Sequence, residues 1–403
     1  MTSPSEQWLT NRPALSRPIG RRFDGFDGLR AIAALLVVLQ HASFHSRRMN
    51  TGHFARQFSQ LDIGVAIFFL ISGFLLYRPF ADRMMTGEAE PSTARFLLRR
   101  AARIFPAYWL ALTVIVIVGK LTDDRFLGLS SYPETVAGYL PYYTLTHVYR
   151  NFTEATGGLN QTWSLAVEIT FYMFLPLYAW VLRAAVRRAQ ARDRFRLQLV
   201  GLAALFAISV VARSFGYWGP SDRVSMLGEY WLFANLDLFA FGMLLAVLSV
   251  GYDHGFGPRR FLDRVADLGE LWWLLAILLF WIASNFVPLG LERPTKWQGL
   301  FKQEFHALAA FWLLLPVVFA HRRVTLISRL LRQRAVIFLG VVSYGIYLWH
   351  QTWILQATQW DSRPDFQSDM LLLVVFGVAA ATATAALSWF AFERPIVRQI
   401  GRR

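Results

Sequence analysis

The sequence predicts an all-α, polytopic integral membrane protein of about ten transmembrane helices, with N- and C-termini in the cytoplasm. Three observations predict it. Of 403 residues, 55% are hydrophobic and only 17% charged, against the roughly 25% charged of soluble domains, and the mean hydropathy is +0.36. Ten apolar runs approach the about 20 residues that a helix needs to cross a bilayer core. The basic residues follow the positive-inside rule. With the N-terminus inside and alternating sides, inside segments hold 28 of the 41 Lys and Arg and outside segments 12, with Arg30 alone inside the first span. The net charge of +15 therefore reads as loop anchoring, not nucleic-acid binding.

The polar segment 1–25, with Pro13, Pro18 and Arg21-Arg22, reads as a cytoplasmic tail without a cleavable signal peptide. Residues 26–398 read as one transmembrane domain and 399–403 as a basic cytoplasmic tail. The spans fall near 29–46, 61–78, 104–119, 164–182, 198–215, 229–250, 271–289, 302–320, 335–355 and 370–392. The eighth is the weakest, because Glu304 and His306 stand in its first turns. The loop Arg183, Arg187, Arg188, Arg192, Arg194, Arg196 is the clearest inside marker. The longest outside stretch, 120–163, is rich in Tyr, Gly and Asn and reads as a lid or re-entrant segment. Its aromatic portion 132–143 fits stacking against sugars and fits an interfacial belt equally. The chain has no cysteine, which excludes disulfides, thiolate metal sites and a cysteinyl acyl-enzyme.

Charge in hydrocarbon is costly and marks a pathway or a site. Arg30 and His41 lie eleven residues apart in the first span, which returns a helix to within roughly 20° and separates them by roughly 16–17 Å along its axis. They share one face. His41 is a candidate general base and also fits a histidine bonded across helices. His41 and His45 could suggest a metal, but no carboxylate or cysteine nearby completes a ligand set, so no metal is assigned.

Arg100 and Arg103 are three apart, on one helix face. With Arg30 they form a candidate phosphate clamp, although juxtamembrane arginines, Arg99 among them, also serve as anchors. Glu168, about one turn inside the fourth span, is a candidate partner that orients His41 or offsets its charge; a salt bridge is the plainer reading. Asn160 and Trp163 at that span's entrance are candidate substrate contacts and oxyanion donors. Ser343, Tyr347 and His350 share a face of the ninth span, and Tyr347 and His350 are further substrate candidates. Ser72 and Gly73 read first as a close helix crossing and second as a channel wall. Asn235 and Asp237 need partners and receive no role. Glu393-Arg394-Pro395 reads as a helix stop with a local ion pair.

In order and spacing these segments resemble the bacterial membrane-bound acyltransferase 3 family across about residues 24–398. The carrying motifs are Arg30-x10-His41 after FDGLRAIA, SGFLL from Ser72 to Leu76, and Arg100-x2-Arg103 before IFPAYW. TWSLAVEITFY from Thr162 to Tyr172, SYGIYLWH from Ser343 to His350 and FERP from Phe392 to Pro395 complete them. The resemblance implies O-acyl, often acetyl, transfer from a cytoplasmic acyl-CoA co-substrate to a hydroxyl of a sugar, glycolipid, polysaccharide or macrolide. It implies a multi-pass protein of the bacterial inner membrane, in the stand-alone form without an extracytoplasmic hydrolase-like domain, and no permanently bound cofactor. The first span lacks an HxxxD pattern, so soluble acyltransferase chemistry does not carry over. The competing class is a transporter or flippase of a small anionic or glycosylated solute, since buried charges on one stripe also describe a permeation path. Against it, the sequence has no internal repeat and no pair of broken helices.

Overall fold

The computed structural model describes residues 23, 25–121, 135–150, 159–217, 228–289, 292, 294–319, 325–361 and 367–401. Most of the two predicted tails, and the 122–134 and 151–158 portions of the predicted lid, lie outside the described residues. The described chain is helical, without strands. Ten long helices are numbered here α1 (Gly25–His45), α2 (Ile63–Thr86), α3 (Thr93–Leu121), α4 (Trp163–Val186), α5 (Ala191–Tyr217), α6 (Leu236–His254), α7 (Gly269–Phe286), α8 (Lys296–Phe319), α9 (Ser343–Trp360) and α10 (Met370–Ser388).

Among the described residues, eight helical stretches are long and apolar enough to cross a membrane, namely those built on α1 to α7 and on α10. The predicted spans 302–320 and 335–355 fall on α8, and on α9 with the short helix Arg334–Val341 before it. Lys302, Gln303, Glu304 and His306 make α8 polar near its start, and the ninth run is divided at Val342. Gly340, just before that division, lies so close to α1 that a Cβ there would strike the Asp27 carbonyl.

Burial orders the layers. The α2 and α6 spans are 72% and 78% buried, whereas those of α7 and α10 are 22% buried and present apolar side chains outward. An all-round apolar helix such as α10 suits a lipid-facing position. The centre is the α2–α6 crossing, with α1 packed against α2, α9, α10 and the 334–341 helix. Gly73 faces the Phe239 carbonyl and Gly242 the Leu70 carbonyl, so the two backbones touch. Ser72 and Gly73 thus divide the two roles read for them: Gly73 makes the crossing and Ser72 lines a cavity. A Cβ at Gly242 would meet main chain, which no rotamer change relieves. The Gly242→Val protein is expected to lose about 3 kcal/mol or more of stability. Thermal aggregation followed by size exclusion, with Gly201→Val as comparison, measures this; an unchanged midpoint would contradict the crossing.

The end of α10 corrects one expectation. Glu393-Arg394-Pro395 does not stop the helix. The chain passes through a π turn, Trp389–Glu393, and continues as Arg394–Gly401. The Arg394 N–H donates to the Trp389 carbonyl five residues back. The widened turn makes room for the Pro395 ring, which would press on the carbonyl four residues earlier in an α-helix. The expected ion pair is also replaced: the Ser388 hydroxyl donates to Glu393 Oε1 at 2.8 Å, and the Arg394 guanidinium lies 5.7 Å from the centre of the Phe390 ring.

Candidate active site

Two cavities meet beside α1. The first, here the arginine cavity, is lined by Arg30 of α1, Ser72 of α2, Arg100 and Arg103 of α3, and Glu168 and Tyr172 of α4. The second, the histidine cavity, is lined by His41, Asn160, Trp163, Tyr230 and polar side chains of α8. Val65, Phe69 and Tyr347 line both and form the divider. The Tyr347 hydroxyl is fixed there, donating to the Gln161 carbonyl at 2.5 Å and lying 2.7 Å from Ser164 Oγ.

On the arginine side, Arg30 Nη1 donates to Asp27 Oδ1 at 2.9 Å, within the same helix. Arg100 Nε is buried with no hydrogen-bond partner among the described residues, and its guanidinium lies 5.9 Å from the Phe96 ring centre. Arg103 is exposed on the same helix face. Three guanidinium groups with donors to spare suit a phosphate ligand. Glu168 Oε1 accepts from Ser72 Oγ at 2.5 Å and from the Tyr172 hydroxyl at 2.6 Å. Two hydroxyl donors at such short range hold the carboxylate in place on the wall that the three arginines share.

On the histidine side, the hydrogen bonds assign both imidazoles. His350 is fully buried on α9, with Nδ1 at 2.8 Å from the Tyr347 carbonyl and 3.2 Å from that of Ile346. Carbonyl oxygens only accept, so Nδ1 carries the hydrogen and Nε2 of a neutral His350 is an acceptor. His41 Nδ1 lies 2.9 Å from the Val37 carbonyl and 3.3 Å from His350 Nε2. With acceptors on both sides, His41 Nδ1 also carries its hydrogen. The lone pair of a neutral His41 is thereby left on Nε2, in a half-buried ring on the cavity wall. The two rings meet edge to face with centroids 4.9 Å apart.

The structure brings Arg30, Arg100, Arg103 and Glu168 together, and separately His41, Asn160, Trp163 and Tyr347. Two expected pairings differ. Glu168 does not contact His41; its oxygen is bonded by Ser72 and Tyr172 on the other side of the divider. The progression along α4 is the reason: Trp163 lines the histidine cavity, Ser164 meets the divider, and Glu168 and Tyr172 lie one and two turns deeper. His350, read as a substrate contact, sits behind His41 and orients it. Among the described residues, no three His, Cys, Asp or Glu side chains converge as a metal site.

Sequence reasoning missed the polar wall opposite His41. Lys302 Nζ donates to Asp62 Oδ2 at 2.6 Å, and His306 Nδ1 stands 3.9 Å from Asp62 Oδ1. The polar residues that weakened the eighth span were the signal. Asn235 and Asp237 do acquire partners. Asn235 Nδ2 donates to the Glu229 and Trp231 carbonyls at 2.8 and 2.9 Å. Asp237 Oδ1 accepts from Ser209 Oγ at 2.9 Å and Gln303 Nε2 at 3.1 Å.

Comparison with known proteins adds an independent finding. The profile of the acyltransferase domain family matches residues 23–392. A Staphylococcus aureus protein named as an O-acetyltransferase is 25% identical over 343 residues, which cover 82% of this chain and 50% of that protein. Nodulation protein 10 of Rhizobium leguminosarum bv. viciae is 27% identical over 418 residues, 96% of each chain. A Bacillus subtilis protein named as a peptidoglycan O-acetyltransferase is 26% identical over 395 residues, covering 94% of this chain and 55% of that one. The chain thus spans about half the length of the Staphylococcus and Bacillus relatives. No solved structure matches it.

Proposed function

The chain belongs to the acyltransferase 3 family of membrane domains, and on that premise we propose that it is a membrane O-acyltransferase. It moves an acyl group, acetyl in the favoured reading, from acyl-CoA to a hydroxyl of a sugar, glycolipid, polysaccharide or macrolide. The observation that carries this reading is His41, with Nδ1 engaged and Nε2 left for a substrate, in a polar cavity that a divider of three residues separates from an arginine-lined one. The relatives named as O-acetyltransferases support it from the side of sequence.

In this mechanism Arg30, Arg100 and Arg103 hold the CoA phosphates at the cytoplasmic face of the bacterial inner membrane. The pantetheine arm runs past Ser72 and Glu168 to the divider, so that binding and chemistry occupy opposite ends of one stripe. The acceptor occupies the histidine cavity. His41 Nε2 takes the hydroxyl proton as that oxygen attacks the thioester carbonyl. The tetrahedral oxyanion needs donors; the Trp163 indole N–H and the Asn160 amide have none of their hydrogen bonds spent among the described residues. Collapse breaks the C–S bond, and the proton on His41 passes to the departing thiolate.

Purified protein in nanodiscs, given acetyl-CoA, tests the activity. Free thiol is expected only when a hydroxylated acceptor is present, in equal amount to acetylated product. Saturable solute uptake into proteoliposomes without thiol release would overturn the proposal in favour of transport. The role given to His350 has its own test. His350→Phe removes one of the two acceptors around His41 Nδ1–H and leaves the Val37 carbonyl, so the ring is less firmly oriented and kcat is expected to fall about tenfold with the KM for acetyl-CoA unchanged. An unchanged kcat would remove His350 from the mechanism.

A further inference from the structure

The end of α1, the segment after it and the start of α10 enclose a third cavity, whose lining shares no residue with the two beside His41. It measures about 580 Å³, within the about 300–1,000 Å³ of small-molecule sites. Leu39 of α1, Phe54 and Phe58 of the following segment, and Leu371 and Val374 of α10 supply its apolar wall. This wall opens toward lipid. The α10 stretch is only 22% buried, and Phe54 and Leu371 are 67% and 71% exposed. Hydrocarbon chains of the bilayer can lie directly on it.

Two charges stand at the polar rim. The chain leaves α1 through Arg47, a non-glycine residue at φ 59°, a conformation that concentrates where it serves a site. Arg48 follows and lines the cavity. Its Nη1 lies 3.9 Å from where a Cβ of Gly52 would stand, so the guanidinium rests over that bare turn. Arg48 makes no hydrogen bond or ion pair among the described residues. The facing carboxylate is Asp369, which caps α10 by accepting from the Leu372 N–H at 3.0 Å. A carboxylate holds about four lone-pair sites, so this cap leaves it able to accept from a further donor. The remaining titratable side chain on the wall is His53, on the Arg48 segment, where an imidazole N–H adds a donor of the same kind.

Arg48 and Asp369 thus line one cavity without pairing to each other. A ligand that joins them carries an anion, a cationic N–H donor and apolar chains in one molecule. We propose that this cavity binds a phospholipid with a primary amine in its headgroup. Arg48 donates to the phosphate, the ammonium donates to Asp369, and an acyl chain lies along Phe58, Leu371 and Val374. A purely anionic headgroup satisfies Arg48 but sets a second negative charge beside Asp369. A quaternary ammonium has no N–H to give. The proposal uses none of the groups assigned to acyl transfer and stands or falls apart from that reading.

Lipid titration of the full-length protein tests it. Protein stripped of co-purifying lipid in detergent is titrated with dioleoyl phosphatidylethanolamine, phosphatidylcholine and phosphatidylglycerol, and the first bound lipid is followed by native mass spectrometry. Phosphatidylethanolamine is expected to bind at least about tenfold more tightly than the other two, the scale of one hydrogen bond between charged groups. Asp369→Asn keeps a good helix cap and is expected to bring the three lipids within about threefold of one another. Arg48→Gln is expected to weaken all three by about tenfold, and lipid still held by Asp369→Asn reports an intact groove. Glycerophosphoethanolamine, the same headgroup without chains, is expected not to compete. Equal affinity of the wild type for the three lipids, a preference that survives Asp369→Asn, or full affinity in Arg48→Gln would overturn the proposal. So would tightest binding of phosphatidylglycerol, which marks an anionic-lipid site, or competition by the chain-free headgroup, which marks a soluble ligand. A dimer that Leu371→Asp abolishes, with no lipid retained by the wild type, would assign the groove to a second copy of this chain instead.

Discussion

Replacing His41 by alanine is expected to lower acyl transfer by about 10²–10⁴-fold, the range of general-base catalysis, in a protein that still folds and binds acetyl-CoA. His41 is half-buried, and its side chain makes two polar contacts, to the Val37 carbonyl and to His350. The carbonyl belongs to a helical turn and keeps its main-chain partner, so truncation leaves no new orphan there. His350 keeps its bonds to the Tyr347 and Ile346 carbonyls. In the proposed mechanism the donor is held by groups beyond the divider, so its binding is expected not to pass through the imidazole. The test pairs acceptor-dependent thiol release with equilibrium binding of labelled acetyl-CoA on one preparation. Intact binding with lost turnover places His41 in the chemical step; turnover within a fewfold of wild type excludes it as the base.

The second large effect belongs to the arginine pair. Arg100→Gln with Arg103→Gln is expected to raise the KM for acetyl-CoA by about 10²-fold or more, at about 1.5–3 kcal/mol for each hydrogen bond to a charged group. The kcat at saturation is expected to change little, because in the proposed mechanism these groups hold phosphates that do not react. Arg100 brings a buried Nε without a partner, whereas Arg30 is already engaged by Asp27, so the α3 pair is the better site for the test. A charge-free donor separates phosphate recognition from a general defect. With acetyl-pantetheine, which lacks every phosphate, wild type and double variant are expected to have the same KM. A parallel loss on both donors would assign the arginines to structure.

The fold class and much of the candidate site were legible because membrane cost makes polar residues conspicuous. Arg30, His41, Glu168 and the α3 arginines stand out in apolar runs, and helical spacing places them on faces. Spacing within one helix does not say which helix stands opposite. His350 was noticed for its own face, yet its pairing with His41 depends on how α9 crosses α1, and Glu168 finds Ser72 through the α2–α4 packing. Depth alone paired Glu168 with His41; the divider at Val65, Phe69 and Tyr347 separates them. The π turn at Trp389–Glu393 was hidden because the Glu-Arg-Pro pattern suits a helix end and a widened turn equally well. The Asp62–Lys302–His306 wall showed only as polar residues that weakened the eighth span, because spacing along α8 does not say that Asp62 stands opposite.

In the proposed mechanism the donor reaches His41 from the cytoplasmic side, and we propose that the acceptor reaches it from the opposite side of the bilayer. Proteoliposomes with acetyl-CoA sealed inside and a hydroxylated acceptor outside test this most directly. The predicted result is acetylated acceptor outside matched one to one by free CoA thiol retained inside, both abolished in His41→Ala. Product formed only when acetyl-CoA and acceptor share a compartment would contradict it.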